Sequence, residues 1–371
     1  MSTSKQKTKP KKDQTITLVA PLKLQLTSDQ LTLLRHTLHK CNLVCNYISQ
    51  VAWQEHVFSQ FALHHEVYHH VRKTFELSAQ ATVRCIAKVA DAYKKDTNTI
   101  RTFRDDGAIA FDSRLLSFSK KNQTVSIWTL NGRIRVPYLC GPRQAELMLH
   151  QKGEVDLCLV DGSFYLLASC KQTPQKPIRP DGVLGVDMGI TNIATDSDGH
   201  QYGTNVREIR RKRQKTRKSL QQKKSKSAKR KLKKRSRKER RFRQDVNHGI
   251  AKKLVATAKR TNRGIALESL KGIRSRVRAC RELRRELHSW AFYDLRLKIE
   301  YKAALAGVPV YTVNAAYTSQ SCSVCGHCEK GNRRSQSEFR CKACGVELHA
   351  DINAAINIAA KGAVNLPNGV Q

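Results

Sequence analysis

The chain has 371 residues, with 69 Lys or Arg against 30 Asp or Glu and a formal net charge of +39. This length allows one or two cores of ordinary size plus a small extra module, and no apolar run approaches the roughly 18 residues of a membrane span. A field this strong suits a polyanion, and nucleic acid far better than a membrane surface.

Residues 1–16 are polar and lysine-rich, without the apolar core of a secretory signal; they read as a disordered basic arm. The run at 17–25 reads as a first strand. Thr27 to Gln30 has the form of a capping box, and Leu31, Leu34, Leu38, Cys41, Cys45, Ile48 and Ala52 follow at spacings of three and four, predicting a long amphipathic helix. The stretch 77–94 repeats the pattern with Val83, Ile86, Ala90 and Tyr93 on one face. Between the two, His64, His65, His69 and His70 could hold a metal at i, i+4, but no carboxylate or cysteine supports them. An exposed or nucleic-acid-facing cluster is the better reading.

From 108 to 170 the signal is of strands. Thr124–Thr129 alternates, Asn131-Gly132 predicts a type I′ turn, and Arg133–Val136 returns; a second hairpin turns at Asp161-Gly162 between 155–160 and 163–169. The expectation is a small β-barrel or sandwich over 17–180, with a helical insertion at about 28–105. Pro174, Pro177 and Pro180 mark a linker.

A second domain is expected over 181–315. Val183 to Asp187 is a buried-type strand ending in an acid; 191–196, a turn at Asp198-Gly199 and 201–206 complete a meander. Residues 207–243 hold 22 Lys or Arg among 37, opposed only by Glu208 and Glu239, so about half of the net charge sits in one run. Its Leu220 and Leu232 are too sparse for a packed face. Such a run can be a solvated face or a localisation signal. Lying between two acid-tipped strands, it fits phosphate contact better, through Arg210, Arg211, Lys212, Arg213, Arg217, Lys218, Lys224, Lys229, Arg230, Lys233, Lys234, Arg237 and Arg241. Beyond it, 247–261 is helical in period and Arg263 to Glu268 is another apolar strand ending in an acid. A helix over 281–306 carries Trp290, Leu295, Ile299 and Ala303 and stops at Gly307 before Pro309; a strand at 308–313 follows.

Cys322-Ser323-Val324-Cys325 and Cys341-Lys342-Ala343-Cys344 form two knuckles that read as one tetrahedral zinc site within 316–346, with His327 and Cys328 as spare candidates. Four thiolates leave no open position, so this zinc is structural. The remaining cysteines are scattered, Cys41 and Cys45 on a core face, which fits a reducing cytoplasm better than secretion. Asp351 opens a helix over 347–361, ahead of a tail at 362–371. Asp187, Glu268 and Asp351 would repel one another if they converged, and divalent cations would resolve that repulsion. Two Mg2+ about 3.5–4 Å apart could hold the attacking water and leaving oxygen of a phosphodiester. A strand-end acid alone is often just solvated; the three in this order are harder to ascribe to chance.

These residues resemble the TnpB proteins, the transposon-encoded family from which type V CRISPR effector nucleases are thought to descend. Gly185-Val186-Asp187-Met188-Gly189 is similar to the family's first RuvC-like motif, Leu267-Glu268-Ser269 to the second, and His349-Ala350-Asp351-Ile352-Asn353 to the third. Tyr317-Thr318-Ser319-Gln320 with the two knuckles is similar to its zinc ribbon. Met188, Ala350 and Cys328 depart from the commoner pattern without removing a ligand. The resemblance implies an α/β RNase H-like (RuvC) domain with an inserted zinc ribbon, behind an N-terminal wedge β-barrel with a helical recognition insert. It implies a Mg2+-dependent, RNA-guided DNA endonuclease, preferably monomeric, in a bacterial or archaeal cytoplasm. Its partners would be a guide RNA from the transposon end and target double-stranded DNA beside a short motif. A cleavage-silent guided repressor and a DNA-joining transposase are the alternatives, and a generic zinc-ribbon RNA binder the residual one.

Overall fold

A computed structural model describes residues 15–269, 292–364 and 366. Residues 1–14 of the expected basic arm, Cys280, Trp290 and the end of the tail lie outside the described residues, and the arm's last expected residue, Ile16, instead opens the first strand. The chain divides into two compact units, Met1–Thr173 and Pro174–Gln371.

In the first unit, β1 (Ile16–Leu24) buries Ala20, Leu22 and Leu24 and exposes the residues between them, as a strand with one solvated face must. Thr27 then caps α1 (Ser28–Gln54): its hydroxyl accepts from Gln30 N at 3.3 Å, and Gln30 Oε1 accepts from Thr27 N at 3.1 Å. This is the predicted capping box. The face from Leu34 to Ala52 is buried as expected, with Leu31 half-buried at its rim. α3 (Ala79–Tyr93) packs on it through Cys85, Ile86, Ala90 and Tyr93; Val83 is only half-buried. Cys41, Cys45 and Cys85 are small core residues there. The four histidines lie on α2 (Gln60–Phe75) and are all exposed, so they face away from its buried Leu63, Val67 and Val71.

The strands that follow are β2 (Ile109–Phe111), β3 (Leu116–Ser119), β4 (Thr124–Thr129) and β5 (Gly132–Leu139). The short α4 (Pro142–Leu149) precedes β6 (Gln151–Val160) and β7 (Ser163–Gln172). With β1 they form one nearly closed antiparallel sheet in the order β2-β6-β7-β1-β5-β4-β3. Asp161 and Gly162 both take positive φ, 50° and 78°, as a type I′ turn demands. The other hairpin corrects the expectation of type I′ at Asn131-Gly132. Its loop is Leu130-Asn131, and the positive φ, 96°, falls on Gly132, which already pairs with Thr129. Glycine takes that conformation at no Cβ cost, so the left-handed residue shifts onto it.

In the second unit, β8 (Gly182–Asp187), β9 (Ala194–Asp196), β10 (Gln201–Tyr202), β11 (Arg263–Glu268) and β12 (Val310–Val313) form a sheet in the order β10-β9-β8-β11-β12. The first three run antiparallel, and β8, β11 and β12 run parallel. β8 and β11 bury nearly every residue, the mark of a strand covered on both faces. β9 and β10 are shorter than the predicted 191–196 and 201–206.

The basic run is a helical hairpin, α5 (Val206–Gln222) and α6 (Lys226–Arg260). The hairpin is rooted at its ends, by Val206 of α5 and by Ile250, Ala251, Leu254, Val255 and Ala258 of the C-terminal half of α6, in a core shared with Leu295, Ile299 and Ala303 of α7 (Phe292–Ala306). Asp294 of α7 adds a polar anchor, accepting from Asn247 Nδ2 at 2.8 Å and Lys298 Nζ at 2.6 Å. Leu220 and Leu232, expected to be too sparse to pack, are half-buried in hollows between α5 and α6 alongside arginine and lysine stems. α7 ends at Gly307, as predicted. β13 (Glu338–Arg340) and β14 (Glu347–His349) pair in the ribbon and lead directly into α8 (Ala350–Ala363).

Candidate metal centres and nucleic-acid surface

Asp187 and Glu268 end two neighbouring parallel strands. Leu267 is in register with Val186, so the two acids stand side by side at the C-terminal edge of the sheet. Asp351 comes to them on α8, whose first turn is capped by His349: Nδ1 accepts from Asp351 N at 3.2 Å. α8 can lie this close to β8 because residue 185 is glycine. A Cβ there would fall 2.0 Å from Ala355 O and 2.5 Å from Ala359 N.

The three acids feel one another. Burial pushes Asp187 up to about 8, with the neighbouring Glu268 and Asp351 carboxylates adding to the rise and the Arg333 guanidinium opposing it. Burial also raises Glu268, against a hydrogen bond from the Thr318 hydroxyl and the charge of Lys361. Asp351 is 3% exposed. Its Oδ1 accepts from Arg333 Nη2 at 3.2 Å and Gln336 Nε2 at 3.4 Å, and its Oδ2 from Asn192 Nδ2 at 3.3 Å. Buried carboxylates gathered in this way, with the proton affinity of Asp187 and Glu268 raised, are a donor set that a hard cation would stabilise.

The four knuckle thiols form a tighter set, with all Sγ atoms within 4.8 Å of one another. Cys322 and Cys344 are 3.7 Å apart, Cys325 and Cys341 3.5 Å. A tetrahedral zinc with Zn–S bonds of about 2.3 Å sets sulfurs about 3.8 Å apart, so these residues fit that ion. Backbone N–H groups of Cys344 and Ala343 help to hold the Cys341 thiol down to about 6, favouring the thiolate a metal needs. The spare candidates stand outside this set: Cys328 is exposed, and His327 pairs with Glu329 at 3.4 Å.

Asp196, Asp198 and His200 also cluster. Asp198 is gripped by Arg263 at 2.8 and 2.5 Å, and the buried Asp196 accepts from the backbone of Asp198 and His200 and from Tyr202 Oη. That arrangement builds the β9–β10 turn.

Of the expected phosphate-contacting residues, Arg211, Lys212, Arg217, Lys218, Lys224, Lys229, Arg230, Lys233, Lys234, Arg237 and Arg241 are exposed on α5, α6 or their connection. Lys212 pairs with Glu208 at 2.6 Å. Arg210 and Arg213 are half-buried, and the Arg213 guanidinium stacks 4.1 Å from the Phe242 ring centroid. That stacking braces Arg213 between the two helices. Sequence reasoning missed Asn192, Thr318, Arg333 and Gln336. The signal open to it was the polar group Arg333-Arg334-Ser335-Gln336, set between the knuckles without an apolar pattern to explain it.

Two family models match the chain: one described as probable transposase over residues 167–271, from the end of the first unit into the second, the other as Cas12f1-like, TNB domain, over 292–358. The Cas12f1 endodeoxyribonuclease of Sulfoacidibacillus thermotolerans is 44% identical over 119 residues, 32% of this chain and 27% of that protein. InsQ of Escherichia coli (strain K12), whose name carries the description RNA-guided DNA endonuclease, is 32% identical over 54% of each chain. A TnpB-like protein of Methanocaldococcus jannaschii is 35% identical over 32% of this chain and 42% of that one. The chain thus spans about half or less of the length of these curated relatives. Among solved structures, a Cas12f1–sgRNA–target DNA complex has the same mixed α/β fold, with a TM-score of 0.57, 16% identity and coverage of 86% of this chain and 81% of that one. Between residues 167 and 358 the chain is thus similar to the probable-transposase and Cas12f1-like, TNB domain models and to proteins named TnpB-like, InsQ and Cas12f1.

Proposed function

We propose that this protein is an RNA-guided DNA endonuclease with an RNase H-like (RuvC) centre at Asp187, Glu268 and Asp351. One observation carries the reading: Asp187 and Glu268 end neighbouring parallel strands and Asp351 lies near enough for its charge to act on Asp187, although the three carboxyl groups are not drawn as close together as the four thiols. The mixed sheet, three antiparallel strands joined to two parallel ones with α8 packed on it, supports the RNase H-like reading. Two Mg2+ would supply charge neutralisation and a polarised water for phosphodiester hydrolysis.

The chain's own residues do the rest. Asp187 and Glu268 would hold the ions, Asp187 after releasing the proton that burial favours, Thr318 orients Glu268, and Asn192, Gln336 and Arg333 fix the two oxygens of Asp351. The exposed cations of α5 and α6 hold RNA or heteroduplex phosphates without reading sequence, which base pairing does instead. The names of the relatives, one a CRISPR-associated endodeoxyribonuclease and one an RNA-guided DNA endonuclease, support the same substrate class.

The test is a purified complex of this protein with an element-encoded guide RNA, supplied with matching double-stranded DNA and Mg2+. Cutting is expected, and Asp187→Ala should bind the target and leave it intact. Cutting by that variant at the wild-type rate would refute the assignment, and occupancy without a break in the wild type would favour a guided repressor.

A further inference from the structure

We infer that Asn353 and Asn357 lock the helix bearing Asp351 to the first zinc knuckle, so that zinc in the ribbon sets the cation affinity of the acid site. The inference rests on the metal-binding role proposed above for the acids.

Asn353 is fully buried. Its Nδ2 donates to Ser321 O at 2.8 Å and its Oδ1 accepts from Ser323 N at 2.9 Å. Those two backbone groups flank the ligand Cys322. One turn along α8, Asn357 Nδ2 donates to the same Ser321 carbonyl at 2.8 Å and to Thr318 O at 2.9 Å. Thr318 is the residue whose hydroxyl reaches Glu268. Two amides on one helix face therefore grip the segment that runs from the partner of one acid to a ligand of the zinc. On the other side, Ala350 N donates to Ser337 O at 3.0 Å, and Arg333 and Gln336 reach Asp351 from between the knuckles.

A buried amide left without its partners costs about 1–3 kcal/mol, so these bonds hold α8 only while the knuckle keeps its shape. The knuckle cannot keep it alone. Its buried apolar cluster is Cys322, Phe339, Cys341 and Ala350, two of them zinc ligands and one belonging to α8 itself. For so small a core, metal binding and folding are one event. Without zinc the clamp opens, and Asp351 loses its register with Asp187 and Glu268. Coupling of this kind is reciprocal: a cation at the acids should in turn tighten zinc.

The test titrates Mn2+ into the full chain, with bound and free ion separated by electron paramagnetic resonance, before and after zinc is stripped. In the wild type, stripping zinc should weaken Mn2+ binding by about tenfold or more, the usual cost of losing an outer-shell support. In Asn353→Ala/Asn357→Ala, binding should be weakened to a similar degree with zinc still bound. Stripping should then change it clearly less than in the wild type, because the asparagine route is already cut while Arg333 and Gln336 still reach Asp351. Co2+ put in place of zinc should keep its four-thiolate ligand-field bands in the variant, and Asn357→Ser, which keeps a donor, should recover most of the affinity. If the double variant does not fold, Asn357→Ala carries the comparison, since that side chain is only half-buried. Wild-type Mn2+ affinity in the asparagine variants, or an equal response to stripping in variant and wild type, overturns the inference. Mn2+ binding that ignores Asp187→Ala overturns the metal-binding role of the acids, and the inference falls with it.

Discussion

Arg333 Nη2 lies 3.2 Å from Oδ1 of Asp351, so a cation carried between the zinc knuckles reaches the acid at the head of the following helix. The same guanidinium lowers the proton affinity of Asp187 against the combined push of burial and two carboxylates. The ribbon is thus an electrostatic part of the acid site as well as a clip, and this decides what its removal should do.

Arg333→Ala leaves Asp351, 3% exposed, with only the amides of Asn192 and Gln336. A buried carboxylate that loses its charged partner should destabilise the fold by about 1–3 kcal/mol, read as a lower Tm in magnesium-free buffer. Added Mg2+ should restore part of the loss by replacing the missing charge, and Arg333→Lys should restore more of the Tm than Arg333→Ala. An unchanged Tm in Arg333→Ala would show that the ion pair contributes nothing.

The pH dependence follows from Asp187. Its carboxyl stands near 8 when folded against 3.8 for the free group, so between those values the folded chain holds a proton that the unfolded chain has released. Stability should therefore fall as pH rises through this window, present in full below about 4 and lost above about 8. Burial moves Glu268 in the same direction. Mg2+ must displace that proton, so its apparent affinity should rise by roughly tenfold per pH unit below 8 for one proton released. Asp187→Asn should flatten the stability slope and make the magnesium-free protein more stable than wild type at pH 8. Thermal melts from pH 5 to about 9 decide the matter, and parallel slopes in the two proteins would rule out Asp187 as the titrating group.

What could be read before folding was whatever obeys a period or a spacing. Asp187 and Glu268 stood out because each follows an unbroken apolar strand, and the four ligand cysteines because Cys-x2-Cys has few other uses. The capping box of Thr27 and Gln30 is local and came out as drawn. Partners chosen across the chain have no such signature: Asn192 meets Asp351 from 159 positions away, and Thr318 meets Glu268 from 50. The basic run defeated periodicity for a different reason. α5 buries only Val206, so it has almost no apolar stripe to detect, and Leu220 and Leu232 pack against the stems of cations. At Gly132 the hairpin was foreseen but its turn type was not, because the single left-handed φ settled on glycine after the loop rather than on two residues within it.

Gly185 offers a steric test of how α8 is seated. The Cβ of Gly185→Ala would meet backbone atoms, Ala355 O at 2.0 Å and Ala359 N at 2.5 Å, which cannot swing aside as a side chain can. The helix must lift from β8, and overpacking of this kind costs about 1–3 kcal/mol, occasionally more. Because Asp351 rides on that helix, metal affinity and cutting should fall together with Tm, while RNA binding through α5 and α6 persists. A variant with lower Tm and unaltered Mn2+ affinity would show that Asp351 is placed independently of this packing.

The hairpin cations separate into two classes that a salt titration can distinguish. Lys229, Arg230, Lys233 and Lys234 are exposed along the free half of α6, with no apolar core beneath them beyond Ala228. Replacing them with Gln should weaken guide RNA binding and lower the slope of log affinity against log salt by about 0.7–0.9 for each phosphate no longer neutralised. Melting of the rooted second unit should hardly change. Arg213 is half-buried against Phe242, so Arg213→Gln should instead loosen the α5–α6 seam, seen as faster amide exchange along α5, with a smaller effect on the salt slope. Equal slopes for wild type and the fourfold variant would show that the phosphates bind elsewhere, and the basic hairpin would lose its assignment as the nucleic-acid surface.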